Sequence, residues 1–264
     1  MSHGVPAPYR LVLGTPPELV VHDELGPCPY LEGRESRLPL RIPTRPLTGK
    51  ELGERLAAGD RRQGIFLYRT QCPRCSACEP IRIEVDRFRP GRTLRRTLRR
   101  NDELLRVEAG PPELSARRVA LYNAHKEQRG LDSGRAPLDP AGYREFLVLS
   151  SCATFELRYY VNEPASEARS SPAPGQLIGV SVVDRADDAL SAVYCYYDPS
   201  YAELSLGSYA ILKQVELCRT LGLRYLYLGL FIADSEHMSY KARFLPHQRL
   251  IGGRWRDVTK GTTG

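Results

Sequence analysis

The chain has 264 residues, enough for one large domain or two modest ones, each with its own core. With 42% hydrophobic and 26% charged residues it has the composition of a globular protein, which excludes a disordered chain. It has no apolar run of the ~18 residues a membrane helix needs. Its N-terminal MSHGVPAPYRLVLG lacks the basic-then-apolar order of a signal peptide, so the expectation is a cytoplasmic protein with no membrane partner.

The net charge is +7, carried by 33 arginines and only five lysines. Seven cysteines, an odd number in a chain expected in the cytoplasm, argue against a disulfide framework. Cys152, Cys195 and Cys218 sit in apolar or strand-like surroundings and read as buried thiols. Cys28, in GPCPY, and the run Cys72-Pro-Arg-Cys75-Ser-Ala-Cys78 read differently. Two C-x-x-C steps share Cys75, and four thiolates would complete a tetrahedral zinc or iron–sulfur site, so Cys28, Cys72, Cys75 and Cys78 are the metal candidates. The other reading is four reduced thiols packed in a small domain.

Next comes RFRPGRTLRRTLRR, residues 87–100, with seven arginines and no acid. As a helix from Gly91 onward it places Arg92, Arg95, Arg96, Arg99 and Arg100 on one face and Leu94 and Leu98 on the other. Five guanidiniums repel one another unless a polyanion neutralises them, so the stripe points to nucleic acid rather than to helix stability.

Gly110 and the paired prolines after it break the pattern, which places a domain boundary near 108–113: an N-terminal Cys/Arg-rich domain over 1–112 and a C-terminal domain over 113–264. A helix is predicted over 113–130, then strands over 154–161, 176–184 and 190–198, with a Pro/Ser/Ala loop over 162–175 between the first two. Residues 205–221 switch to helical spacing and stop at Gly222, and 223–232 reads as a buried strand. This order fits an α/β (α+β) domain with a mainly antiparallel sheet and one central helix.

The unit SAVYCYYDPSYAELSLGSYAILKQ carries a tyrosine-rich strand into a helix start. Free N–H groups at Ser205, Gly207 and Ser208 make an anion or carbonyl site, and Tyr194, Tyr196, Tyr197 and Tyr201 offer stacking faces for a terminal adenosine. Alone, Ser205 or Ser208 would read as a simple N-cap.

Taken together, CPYL (28–31), residues 68–101, SAVYCYYDPS (191–200), SLGSYAIL (205–212), YLYLGLFI (225–232) and MSYKARFLP (238–246) resemble the arginyl/leucyl-tRNA–protein transferases, nearest to the bacterial aspartate/glutamate leucyltransferase branch. The resemblance runs over about residues 28–255. It implies a GNAT-like acyltransferase domain behind a smaller Cys-bearing N-terminal domain, aminoacyl-tRNA as donor, and proteins with N-terminal Asp or Glu as acceptors marked for degradation. DNA is not expected as a partner. Some relatives carry zinc or an iron–sulfur cluster on N-terminal cysteines. The sequence departs from the bacterial pattern at Thr93-Leu94, at Leu230-Phe231 and at His237.

An aminoacyl ester is already activated, and an α-amine with a pKa near 8 is partly neutral at pH 7. The chemistry therefore requires no cofactor, only alignment and oxyanion stabilisation. On this reading Arg92, Arg95, Arg96, Arg99 and Arg100 hold the tRNA. Tyr194, Tyr196, Ser205, Gly207 and Ser208 hold the aminoacyl-adenosine. Arg69, Arg82 or Arg92 pairs with the acceptor's acidic side chain, and Asp198, Glu216 or Tyr240 accepts the proton of the amine. Two rivals stand beside it. One is an acetyl-CoA-dependent GNAT enzyme, whose usual Gln/Arg-x-x-Gly-x-Gly/Ala loop is not matched here. The other is a non-catalytic RNA-binding module.

Overall fold

A computed structural model describes residues 9–130, 136–162 and 175–261. The loop expected over 162–175 lies, apart from its two ends, outside the described residues.

The first part of the chain forms an antiparallel sheet in the order β1-β2-β5-β7-β6. Its strands are β1 (Arg10–Val12), β2 (Glu18–His22), β5 (Leu40–Pro43), β6 (Arg61–Gln63) and β7 (Phe66–Tyr68). A separate ribbon pairs β3 (Leu25–Pro27) with β4 (Glu35–Arg37). Helix α1 (Gly49–Ala57) starts at a capping box, where Thr48 accepts from the Glu51 N–H and Glu51 accepts from the Thr48 N–H.

The larger sheet has eight strands in the order β15-β14-β8-β13-β12-β11-β10-β9. They are β8 (Glu79–Glu84), β9 (Leu105–Gly110), β10 (Thr154–Val161), β11 (Leu177–Arg185), β12 (Ala189–Tyr197), β13 (Tyr225–Phe231), β14 (His247–Ile251) and β15 (Arg254–Val258). β13 is buried at every residue, which explains why its sequence is a continuous apolar run rather than an alternating one. Helices α2 (Arg92–Leu104) and α5 (Leu206–Thr220) cover one face; α5 sends Leu206, Ile211, Leu212 and Val215 into that core. On the other face α3 (Ala116–Gln128) and α4 (Pro140–Tyr143) pack Leu121, Tyr122 and Tyr143 against Val180, Val182 and Tyr196. Consecutive residues of β12 thus serve opposite cores, Tyr196 the α3 side and Tyr197 the α5 side.

The predicted strands and the central helix appear within a residue or two of their expected bounds. α5 ends as expected at Gly222, whose φ is +65°, and the N–H of Leu223 bonds back to the Cys218 carbonyl in a Schellman arrangement. The expected division near 108–113 does not coincide with a break between sheets, because β8 and β9 from before it join the larger sheet, β8 between β14 and β13 and β9 at the edge beside β10. β8 fits there because its inward residues Ile81 and Ile83 are wholly buried beside β13.

Two features of this sheet position the site. β12 and β13 form its parallel pair, but they pair only over residues 189–191 and 225–227 and then splay. The register of β12 against β11 shifts around Val193, and β13 slips against β8 around Gly229, whose φ is +85°. The second feature is a bidentate ion pair at the contact of the two sheets: Arg62 of β6 donates from Nε and Nη2 to Asp184 of β11, both bonds at 2.7 Å. Both side chains are about 2% exposed or less, and Thr154 also donates to Asp184. Replacing Asp184 by Asn or Arg62 by Ala leaves a buried charge unpaired. Either change is expected to lower unfolding free energy by ~3–5 kcal/mol, measured by denaturant titration.

Candidate active site

The C-terminal ends of β12 and β13 and the start of α5 share one edge of the sheet, because α5 is the crossover between two parallel strands. A short 3₁₀ turn (Pro199–Leu204) leads into Ser205, which adopts a left-handed conformation with φ 51°. A non-glycine residue there is strained, and the strain turns the chain abruptly into α5. The Ser205 carbonyl accepts from the N–H groups of Ser208 and Tyr209. The N–H groups of Leu206 and Gly207 are left at the open helix end. The Ser205 hydroxyl makes no capping bond, so the simple N-cap reading does not hold. Gly207 lies against the Tyr197 ring, 3.9 Å from where its Cβ would be.

The arginine stripe is built as the spacing requires. Arg92, Arg95, Arg96, Arg99 and Arg100 are all exposed, while Leu94 and Leu98 pack on the core. None of the five has a carboxylate partner among the described residues; Arg95 bonds the Pro90 carbonyl and Arg100 the Glu203 carbonyl. α2 runs antiparallel to α5: wholly buried Asn101 donates to the Leu204 carbonyl, while Phe88, just before α2, accepts from Arg219 near the end of α5. Arg99 and Arg100 therefore stand beside the start of α5 and the splay. Arg92 stands about 12 Å from Arg100 along the helix, at 1.5 Å per residue. The departure at Thr93-Leu94 also finds its place, since Leu94 is a core contact.

Several expected roles need correction. Arg92, at the opposite end of α2 from Asn101, is the arginine of the stripe furthest from the start of α5. Arg69 donates to Asp60, a carboxylate it shares with Arg41. Arg82 is caged by the rings of Tyr225 and Trp255, 3.8 and 4.1 Å away, and donates to the Tyr227 hydroxyl and to Gln248. Asp198 caps the 3₁₀ turn through Ser200 and pairs with Arg117. Glu216 pairs with Lys213 on the outer face of α5, toward its C-terminal end. Tyr196 is wholly buried and shares a hydroxyl–hydroxyl bond with Tyr143, so it has no free face for an adenosine. Tyr194 packs edge-on against Phe146 and close to Tyr122 in the same aromatic cluster. Tyr240 remains near the splay, beside Cys195, Tyr197 and Arg129; burial holds its hydroxyl well above the ordinary tyrosine range, which makes it a hydrogen-bond donor rather than a base.

Two side chains not singled out from the sequence define the centre of the splay. Arg61 of β6 lies between the diverging strands; its Nη2 donates to the Ala192 carbonyl at 3.1 Å and its Nη1 reaches the Ser191 hydroxyl at 3.5 Å. Lys241, on a 3₁₀ turn after α6 (Glu236–Ser239), donates from Nζ to the Leu230 carbonyl at 2.7 Å. Each is 8% exposed. Burial, reinforced by Arg61, pulls the Lys241 ammonium down to about 7. Next to Arg61 stand the half-buried phenols of Tyr30 and Tyr68. The available sequence signal was rarity: Lys241 is one of five lysines and lies within the MSYKARFLP segment.

The cysteine expectation is met only as proximity. Burial and then the neighbouring thiols of Cys28, Cys72 and Cys75 push the Cys78 thiol up to about 12, and Arg34 contacts the Cys75 sulfur at 3.5 Å. Among the described residues no three His, Cys, Asp or Glu side chains close into metal-ligating geometry.

Among the described residues one parallel pair of strands splays beside a crossover helix, and the family comparison says which class of protein is built on this frame. The family descriptions "Arginine-tRNA-protein transferase, N terminus" and "Arginine-tRNA-protein transferase, C terminus" match residues 26–96 and 117–251. The chain belongs to the arginine-tRNA-protein transferase family and is an aminoacyltransferase. It is 40% identical to an aspartate/glutamate leucyltransferase of Chromobacterium violaceum, over 89% of this chain and 92% of that protein. It is likewise 40% identical to the one from Halorhodospira halophila, over 87% and 92%. The crystal structure of FemX shares the fold, with TM-score 0.50 and 9% identity over 90% of this chain and 84% of that one. No helix among the described residues is long and apolar enough to cross a membrane.

Replacing Tyr196 by Phe tests its reassignment. The change leaves the buried Tyr143 hydroxyl unpaired and is expected to cost ~1–3 kcal/mol in thermal or denaturant unfolding, with no change in KM for aminoacyl-tRNA.

Proposed function

We propose that this protein transfers leucine from leucyl-tRNA to the α-amine of proteins whose first residue is aspartate or glutamate, in the cytoplasm, marking them for degradation. The observation that carries the reading is the α2 stripe: five exposed arginines without acidic partners, ending beside the start of α5 and the splayed strands. A polyphosphate lying on that face is led to the same edge of the sheet as the helix start. The names of the relatives supply the donor and the acceptor.

In this mechanism the tRNA acceptor end is gripped by Arg95, Arg96, Arg99 and Arg100, with Arg92 reaching further along the backbone. The terminal adenosine and its ester lie at Ser205, Gly207 and Ser208, with Tyr197 as the nearest aromatic face. The neutral amine of the acceptor attacks the ester carbonyl. The developing oxyanion is met by donors at the splay, where the Leu206 and Gly207 N–H groups and the Tyr240 hydroxyl are suited to the task. The carbon–oxygen bond to the ribose then breaks, and the leaving 3′-oxygen takes the proton that the amine gives up. No side-chain nucleophile and no metal enters a step. Four thiols around Cys78 have the donor chemistry for zinc or an iron–sulfur cluster; a metal there would brace the segment carrying Tyr30, outside the reaction path.

Three measurements test this. Labelled leucyl-tRNA and arginyl-tRNA, offered separately with peptides headed by Asp, Glu or Ala, are expected to give leucine transfer to the Asp and Glu peptides alone. Replacing Arg95, Arg96, Arg99 and Arg100 by Ala is expected to weaken tRNA binding strongly and to flatten the log–log salt dependence by ~3 units, with unchanged circular dichroism. Elemental analysis of the purified protein tests the metal reading: metal that Cys75→Ser releases supports it, and a metal-free wild type ends it.

A further inference from the structure

Three consecutive residues of the first sheet carry charge, and the structure treats them differently. Asp60 is 1% exposed and is shared by Arg41 and Arg69. Arg62 is matched by Asp184. Arg61, between them, has no carboxylate at ion-pair distance among the described residues, although Asp184 is near enough to act on its charge, and Lys241 has no carboxylate at that distance either. Both are more than nine-tenths buried, and burying an unpaired cation is costly. Their present contacts are dipoles only: the carbonyls of Ala192 and Leu230, the Ser191 hydroxyl and the Met238 sulfur.

Gly229 holds the space between them. A Cβ there would stand 3.0 Å from Arg61 Nη2 and 3.6 Å from Lys241 Nζ, so two cationic heads converge on one point of the backbone, closely enough that only glycine fits without a shift. That point lies in the splay, where amine and ester must meet on the transfer reading. Arg61 uses only two weak bonds of the five donors a guanidinium offers, and its Nε, though unbonded, is not among the sealed unpaired atoms. A fork and an ammonium converging from two elements suit a planar, short-armed anion.

We propose that Arg61 and Lys241 form the receptor for the side-chain carboxylate of the acceptor's first residue and thereby select aspartate and glutamate. The assignment rests on the transfer reading given above. An acidic head supplies the missing charge, and its α-amine, one or two methylenes from the carboxylate, is held at the splay. A neutral head leaves both cations buried and unmatched, which is the stronger source of discrimination. Carboxylate binding would also draw Lys241 to its charged form, against the burial and the Arg61 charge that pull the ammonium down to about 7.

The test is steady-state transfer from saturating leucyl-tRNA to peptides differing only in a Glu or Gln head, with Lys241→Gln, Lys241→Arg and, independently, Arg61→Gln. The wild type is expected to prefer Glu over Gln by ~10²-fold or more in kcat/KM. Lys241→Gln keeps a donor for the Leu230 carbonyl and is expected to raise KM for the Glu peptide and shrink that preference at least about tenfold, with KM for leucyl-tRNA unchanged. Lys241→Arg restores most of the preference, and Arg61→Gln repeats the loss should Lys241→Gln fail to fold. The inference is overturned if kcat falls equally for both peptides with the preference intact, as for a general base. It is equally overturned if only KM for leucyl-tRNA rises, as for a phosphate contact. A wild type that transfers no leucine to any head overturns the transfer reading itself, and this inference with it.

Discussion

The bidentate pair between Arg62 and Asp184 is the contact on which the arrangement of the site depends. It joins the edge strand of the smaller sheet to a central strand of the larger one, with neither group open to water. A pair of this kind adds little net stability over an apolar contact of similar shape, but its geometry is strict. Fixing Arg62 in β6 fixes its neighbour, and Arg61 is thereby carried into the gap beside β12. The small sheet thus acts as the arm that brings a cation to the reaction edge.

That edge exists because two strands part. Parallel strands need a crossover, and a crossover helix begins where the first strand ends. Here the irregular registers at Val193 and Gly229 open the pair beyond three residues, and the freed carbonyls of Ala192 and Leu230 accept from Arg61 and Lys241. Backbone satisfaction and substrate recognition are served by the same two side chains. A purely structural part for the pair would account for the carbonyl bonds. It would not account for the choice of two charged groups, where neutral donors would satisfy the same carbonyls at less cost.

The cationic surface outside follows a different logic. On α2 the guanidiniums are solvated, so their repulsion is modest, and the leucine face together with the buried Asn101 bond holds the helix down. At the splay two cations are dry and few. The first arrangement suits an extended polyanion gripped without regard to its sequence, the second a single carboxylate recognised by its shape. The cysteine segment is tied in through Tyr30, which stands beside Tyr68 and Arg61. Its neighbourhood at the site is a consequence of folding that no thiol spacing announces.

Periodicity and turn chemistry in the sequence by themselves determined the secondary elements, the α2 stripe and the stop at Gly222, because these are local properties of spacing and backbone freedom. The resemblance of ordered motifs determined the family. Tertiary structure decided which charged residues are free. Arg69, Arg82, Asp198 and Glu216 read as available in the sequence, yet each meets a partner brought from elsewhere in the chain or from the adjoining helical turn. Tyr196 reads as a stacking face and turns out to be core, because alternation along β12 sends it toward Tyr143. Arg61 and Arg62 are chemically the same residue twice, and only a strand 122 positions away settles that one is matched and the other is not. Neutralisation is a property of pairs in space, so no one-dimensional pattern can assign it.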